Sequence, residues 1–279
     1  MLVVIGDLVA DLIVLGAAAL ERGTDNPAEV RLTRGGSGAN VAVAAAARHP
    51  SRFIGRVGDD TLAHTLVGEL EAAGVDAKVQ RHGRTGSIVV LVDAVGERTM
   101  ITDRGAAAEL DDIDPAWLAD ADWVHVPLYG FATARSARAV TDAATRASAR
   151  GARLSLDLSS VATMRALGGE RLRRVLAELR PEVVFANEGE AHLARELGVE
   201  RSGVVYVVKR GAEPVLVTAG GATTEVPVER VDDVLDSTGA GDAFAAGFIV
   251  AALEGADPRE SARAGSVLAV SALRRPGAL

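Results

Sequence analysis

The chain has 279 residues, of which 48% are hydrophobic and 24% charged, enough to bury a substantial core and too apolar for a disordered chain. Its 38 acidic residues against 30 Lys and Arg leave a net charge of −8, which disfavours a general nucleic-acid binder or a binder of anionic membranes. There is no cysteine, so disulfides, thiolate metal sites and cysteine nucleophiles are excluded, and the five histidines include no HExxH pair.

In chain order, Leu2–Ile5 reads as a first buried strand. No basic segment precedes it as in a signal peptide, so a cytoplasmic protein is expected. Residues 13–33 form a long, mostly aperiodic stretch. The longest charge-free run, Gly35–Ala47, is short of a membrane span and leads into a predicted helix, Ala39–Arg48. A strand at Arg52–Gly55 and a helix at Thr61–Ala73, opened by Asp60, come next. Ser87–Val92 and Arg98–Thr102 flank Asp93-Ala94-Val95-Gly96-Glu97 and read as an exposed β-hairpin. Beyond it, apolar strands are predicted at Trp123–Val126, Arg153–Asp157, Val183–Phe185, Val204–Val208 and Val215–Thr218. Helices are predicted at Thr133–Arg150, Glu170–Leu179, Glu188–Glu196, Ala240–Leu253 and Pro258–Leu273. Continuously apolar strands alternating with helices predict an α/β fold, a parallel sheet covered on both faces.

Four places have the residue types for chemistry. Asp236-Ser237-Thr238-Gly239-Ala240-Gly241-Asp242 follows a strand-like run ending at Leu235 and opens a helix. Glycines there can aim several amides at one anion, and Asp242 falls in the first turn, as base or as mere helix cap. It is neither a Walker loop nor a full GxGxxG fingerprint. Gly35-Gly36-Ser37-Gly38-Ala39-Asn40 leads into a helix, with Asn40 able both to donate to and accept from a polyhydroxylated ligand. Asp7 and Asp11 stand beside the first strand, where open α/β sheets bind ligands. Asn187 and Glu190 are three apart on a helical first turn, a spacing that fits a capping box as well as water-mediated Mg²⁺ binding.

Together with Phe53-Ile54-Gly55-Arg56-Val57-Gly58-Asp59-Asp60, these segments occur in the order seen in the ribokinase-like (PfkB) carbohydrate kinases, and the resemblance covers almost the whole chain. It implies one ribokinase-like kinase domain over residues 1–279: a central, mostly parallel sheet with helices on both faces and a small β lid built from about 13–33 and 87–102. It also implies an ATP-dependent phosphotransferase acting on a primary alcohol of a small sugar or sugar-like compound. By the same resemblance Asp242 is similar to the family's general base, and Gly239, Ala240 and Gly241 to its anion hole. Asp11, Gly35, Gly36 and Asn40 resemble the sugar-binding residues. Asn187 and Glu190 resemble the pair that organises Mg²⁺ on ATP through water, and Lys209 and Gly211 fall on the nucleotide side. Asp236 and Thr238 are similar to residues that hold a monovalent cation, K⁺, in some members. Ser37 stands where the ribokinase loop usually has Lys, and Pro127-Leu128-Tyr129-Gly130 carries no acid, so ribose itself is disfavoured. A nucleoside kinase of the same fold (adenosine, cytidine or pseudouridine type) is the alternative, and a non-catalytic ligand-binding regulator a third reading. The expected partners are the small-molecule acceptor and a second copy paired through the lid, by way of Ile88, Val90 and Val92. Nucleic acid and membrane are not expected.

Overall fold

The computed structural model describes all residues except 17–19, 94–97, 200–202, 232–233, 235 and 275–279. Leu235 and the turn of the expected hairpin lie outside the described residues.

The main sheet has nine strands. In chain order they are β1 (Leu2–Ile5), β4 (Ser51–Val57), β5 (Asp76–Arg81), β8 (Trp123–Pro127), β9 (Arg153–Asp157), β10 (Val183–Asn187), β11 (Val205–Arg210), β12 (Glu213–Ala219) and β13 (Ala222–Val226). They lie side by side as β13-β12-β11-β10-β9-β8-β1-β4-β5. From β11 to β5 every pairing is parallel, while β12 and β13 are added antiparallel at one edge. Four further strands, β2 (Val9–Leu15), β3 (Glu29–Gly35), β6 (Thr85–Val92) and β7 (Arg98–Gly105), form a separate sheet in the order β3-β2-β6-β7.

Successive strand residues point to opposite faces, so the inner strands feed two cores. Leu2, Val4, Phe53 and Phe185 pack with α1 (Ser37–Ala46), α2 (Thr61–Ala72), α6 (Ala240–Leu253) and α7 (Pro258–Leu273). Val3, Ile5, Ile54 and Val184 pack on the other face with α3 (Ala134–Ser148), α4 (Val161–Leu179) and α5 (Glu188–Glu196). Among the described residues no helix is long and apolar enough to cross a membrane.

Three local differences from the sequence pattern have physical causes. Helix α1 starts at Ser37, two residues before the expected Ala39, because Gly36 takes φ 103 and turns the chain into the helix at once. Helix α4 extends back to Val161, capped by Ser160 and kinked at Gly168 (φ 73); the glycine pair hid its first turns. The aperiodic stretch at 13–33 holds the end of β2 and most of β3, and β3 is an edge strand whose exposed polar residues blur the apolar pattern.

Candidate active site

The carboxyl ends of the parallel strands and the starts of α1 and α6 converge on one crevice. Helix α6 is apolar all round and buried along most of its length, so its N-terminus is fixed by packing on both sides. Gly239 caps it at φ 75, and Asp242 stands in its first turn. The Ser37 hydroxyl donates to Asp242 Oδ1 at 2.6 Å, and Asn40 Nδ2 donates to Oδ2 at 3.0 Å. Arg34 Nη1 in turn donates to Asn40 Oδ1 at 3.0 Å. Burial pushes the Asp242 carboxyl up to about 6; Ser37, Asn40 and Lys209 oppose the rise, and Asp157 adds to it. A half-buried carboxylate, fixed by two donors and ready to titrate near neutrality, has the properties of a general base.

On the lid side, Asp11 is buried, and its Oδ1 has no hydrogen-bond partner. Burial raises it to about 6, with Arg34 opposing and Asp242 contributing. A Cβ on Gly35 would stand 2.2 Å from Asp11 Oδ1, so glycine there leaves room for the carboxylate. Gly36 is required twice over, by its φ of 103 and by the Asp7 carbonyl 2.2 Å from where a Cβ would be. Asp7 accepts from Arg104 Nε at 2.6 Å, and Arg104 Nη1 donates to the Tyr129 carbonyl at 2.9 Å. The Arg104 guanidinium lies over the Tyr129 ring, 5.0 Å from its centroid. Arg34 and Arg104 are not among the sequence candidates, and Ser37 enters there only as part of its glycine loop. Arg34 and Arg104 sit on lid strands whose faces only the strand pairing reveals.

On the opposite side, Asn187 and Glu190 make the complete capping box of α5. Asn187 Nδ2 also donates to Glu190 Oε1 at 2.8 Å. Burial lifts the Glu190 carboxyl to about 7, with Asp157 adding to the rise. Lys209 Nζ donates to Asp157 Oδ2 at 2.7 Å. Burial works against the Lys209 charge, but Asp157, Glu190 and Asp242 outweigh it and hold the ammonium above its ordinary range. A Cβ on Gly241 would come 3.3 Å from Lys209 Nζ, which places that cation against the first turn of α6. Asp157 belongs to this cluster and carries no local motif; only the adjacency of β9, β10 and β11 reveals it.

Three carboxylates facing one ammonium leave excess negative charge, which suits a hydrated divalent cation arriving with a nucleotide. Among the described residues no three His, Asp or Glu side chains stand close enough to ligate a metal directly. Gly211 lies in the turn after β11, where a φ of 61 accounts for the glycine by itself. Asp236 Oδ1 accepts from both the Thr238 amide, at 2.8 Å, and its hydroxyl, at 2.7 Å. One oxygen of the expected K⁺ site is thus already engaged in a turn.

The chain matches the pfkB family carbohydrate kinase profile over residues 1–279. It is 32% identical over 247 residues to an ATP-dependent ribose-1-phosphate kinase of Halopiger xanaduensis, covering 84% of this chain and 79% of the relative. It is 28% identical over 277 residues to an adenosine kinase of Saccharomyces cerevisiae, covering 89% and 80%. Among solved structures, an uncharacterized sugar kinase from Pyrococcus horikoshii in complex with ATP superposes with a TM-score of 0.85 at 24% identity, over 100% of this chain and 94% of that one.

Proposed function

This chain belongs to the pfkB family of carbohydrate kinases and is an ATP-dependent kinase, and from that premise we propose that it phosphorylates a primary alcohol of a small sugar or sugar-like acceptor with Asp242 as the base. The observation that carries this reading is Asp242 itself. It sits where the first turns of α1 and α6 meet, held by Ser37 and Asn40 and raised to about 6. Phosphoryl transfer asks chiefly for positioning and charge stabilisation. Asp242 takes the proton of the acceptor hydroxyl. The Gly239, Ala240 and Gly241 segment presents amides to the transferring group, with Lys209 beside it. Asp11, whose free Oδ1 faces no protein donor, and Asn40, against the backbone of Gly35 and Gly36, bind the acceptor's other hydroxyls. Asn187 and Glu190 orient the water around Mg²⁺, which when bound neutralises phosphate charge. The lid strands cover the acceptor and exclude water, and residues 1–279 act as one kinase unit.

The adenosine kinase relative keeps a nucleoside acceptor in view. Tyr129 offers an aromatic wall, but the Arg104 guanidinium already covers one face of its ring, which favours a polyhydroxylated acceptor over a stacked base. The deciding experiment is ATP consumption across pentoses, hexoses, sugar acids, sugar phosphates and nucleosides. Turnover confined to nucleosides would exclude the sugar reading. Binding of a sugar without any ATP turnover would leave a ligand-binding regulator instead.

The lid supports pairing of two copies. Leu32, Leu12, Val89 and Ile101 form one apolar row across it, and Leu32 and Ile101 are each 59% exposed. This row lies on the face opposite the expected Ile88, Val90 and Val92, and because Val90 is buried the pairing is placed on the Leu32–Ile101 row in this reading. Light scattering of wild type and Leu32→Glu would show a dimer lost in the variant. A monomeric wild type would exclude the pairing.

A further inference from the structure

Ser37 opens α1, and its hydroxyl donates to Asp242 Oδ1 at 2.6 Å. That is the contact an acceptor alcohol makes to its proton acceptor before attack. The serine side chain is itself a primary alcohol, the class of acceptor this site is read to use. It stands where α1 meets the first turn of α6, the segment assigned to hold the transferring group. Helix α1 has no side-chain cap, and in its first turn the Ala39 amide donates to the Asp7 carbonyl at 3.3 Å. Arg34 reaches the same helix through Asn40 Oδ1.

We infer that Ser37 is an internal phosphoryl acceptor, modified by ATP when no external acceptor fills the pocket. The inference rests on the kinase reading above. The Ser37 O–H proton passes to Asp242 Oδ1 as the hydroxyl oxygen forms a bond to the γ-phosphorus. The bond between that phosphorus and the β,γ-bridging oxygen breaks, and its electron pair leaves with ADP. The phosphate is then held at the N-terminus of α1, where the helix end and Arg34 favour negative charge. There it fills the space in front of Asp242 and Asn40 and closes the site to an external alcohol. Ser37 thus gives an idle, ATP-loaded enzyme an off-state that bound acceptor prevents.

The test incubates the full chain with γ-labelled ATP and Mg²⁺ without acceptor, maps the label by peptide mass spectrometry, and assays the acceptor panel in parallel. The expected result is label on Ser37, approaching one phosphoryl group per chain, with loss of acceptor turnover as it accumulates. The labelling rate constant should not change with protein concentration, because the base and the acceptor belong to one molecule. Asp242→Asn should slow labelling about 10²- to 10⁴-fold, and an acceptor that supports turnover should suppress it. Ser37→Ala, checked for its fold by circular dichroism, should take no label. Wild-type enzyme that turns over an external acceptor yet carries no label, or carries it elsewhere, overturns the inference and leaves the kinase reading standing. Absence of both labelling and turnover overturns both.

Discussion

Asp242 separates two readings that local sequence cannot. An acid in the first turn of a helix caps it, and Asn caps nearly as well as Asp. The structure uses both Asp242 oxygens to accept from α1 instead, and α6 is capped by Gly239 without a side chain. Asp242→Asn should therefore leave a folded protein with kcat lowered about 10²- to 10⁴-fold, since an amide cannot take the proton. Steady-state kinetics beside a melting curve checks this, and a folded variant with near-normal turnover removes Asp242 as the base. The base works only when ionised, so kcat/KM should rise with pH through about 6 and level off above it. The Ser37 bond favours the ionised carboxylate, so Ser37→Ala should move that acid limb to higher pH. A limb that stays in place belongs to another group, such as Asp11 or Glu190. The stability sign runs the other way: because the folded state holds its Asp242 proton more tightly than the unfolded chain, ionising this group weakens folding as pH climbs from the ordinary carboxyl value through about 6.

Helix α1 acts as a unit. Its Gly36 start, its Ser37 and its Asn40 together set the floor of the crevice, and all three depend on the chain turning at φ 103 beneath Asp7. Gly36→Ala would place a methyl group 2.2 Å from the Asp7 carbonyl in a backbone conformation alanine resists. A loss of at least about 1–3 kcal/mol is expected from the dihedral strain, to be read by denaturant unfolding. The displaced helix should also raise the KM for the acceptor more than that for ATP. Asp11, on β2, tests the acceptor side more gently: Asp11→Ala removes charged hydrogen bonds that contribute about 1.5–3 kcal/mol. Calorimetry should then show acceptor binding weakened roughly ten- to a hundred-fold with ATP affinity little changed. Loss of ATP affinity with acceptor binding intact would reverse the two sides of the site.

Over the whole molecule, the aromatic cluster beneath α6 is what lets a helix start carry chemistry. Phe185 on β10 is fully buried and meets Phe244 and Phe248 of α6 edge-on, at 6.3 and 5.2 Å between ring centroids. Phe185→Ala would open a cavity between sheet and helix and should lower stability by about 3–5 kcal/mol, measured by chemical denaturation. Full stability in that variant would mean that α6 is held from elsewhere.

The sequence determined by itself the alternation of buried strands and helices, because side chains buried on both faces of a parallel sheet must be apolar throughout, as in Val183–Phe185. It also determined the glycine turns and the acid at Asp242, because backbone geometry and helix starts are written in adjacent residues. It did not show β5 and β13, whose residues are mostly exposed or half-buried and leave little apolar pattern. Nor did it show Asp157, Arg34 or Arg104. Asp157 meets Lys209 across 52 residues, and Arg104 reaches Asp7 across 97. Such pairings arise only once strand order and lid placement bring distant charges together, where burial raises the Asp7 carboxyl and works against a Lys209 charge that Asp157 sustains.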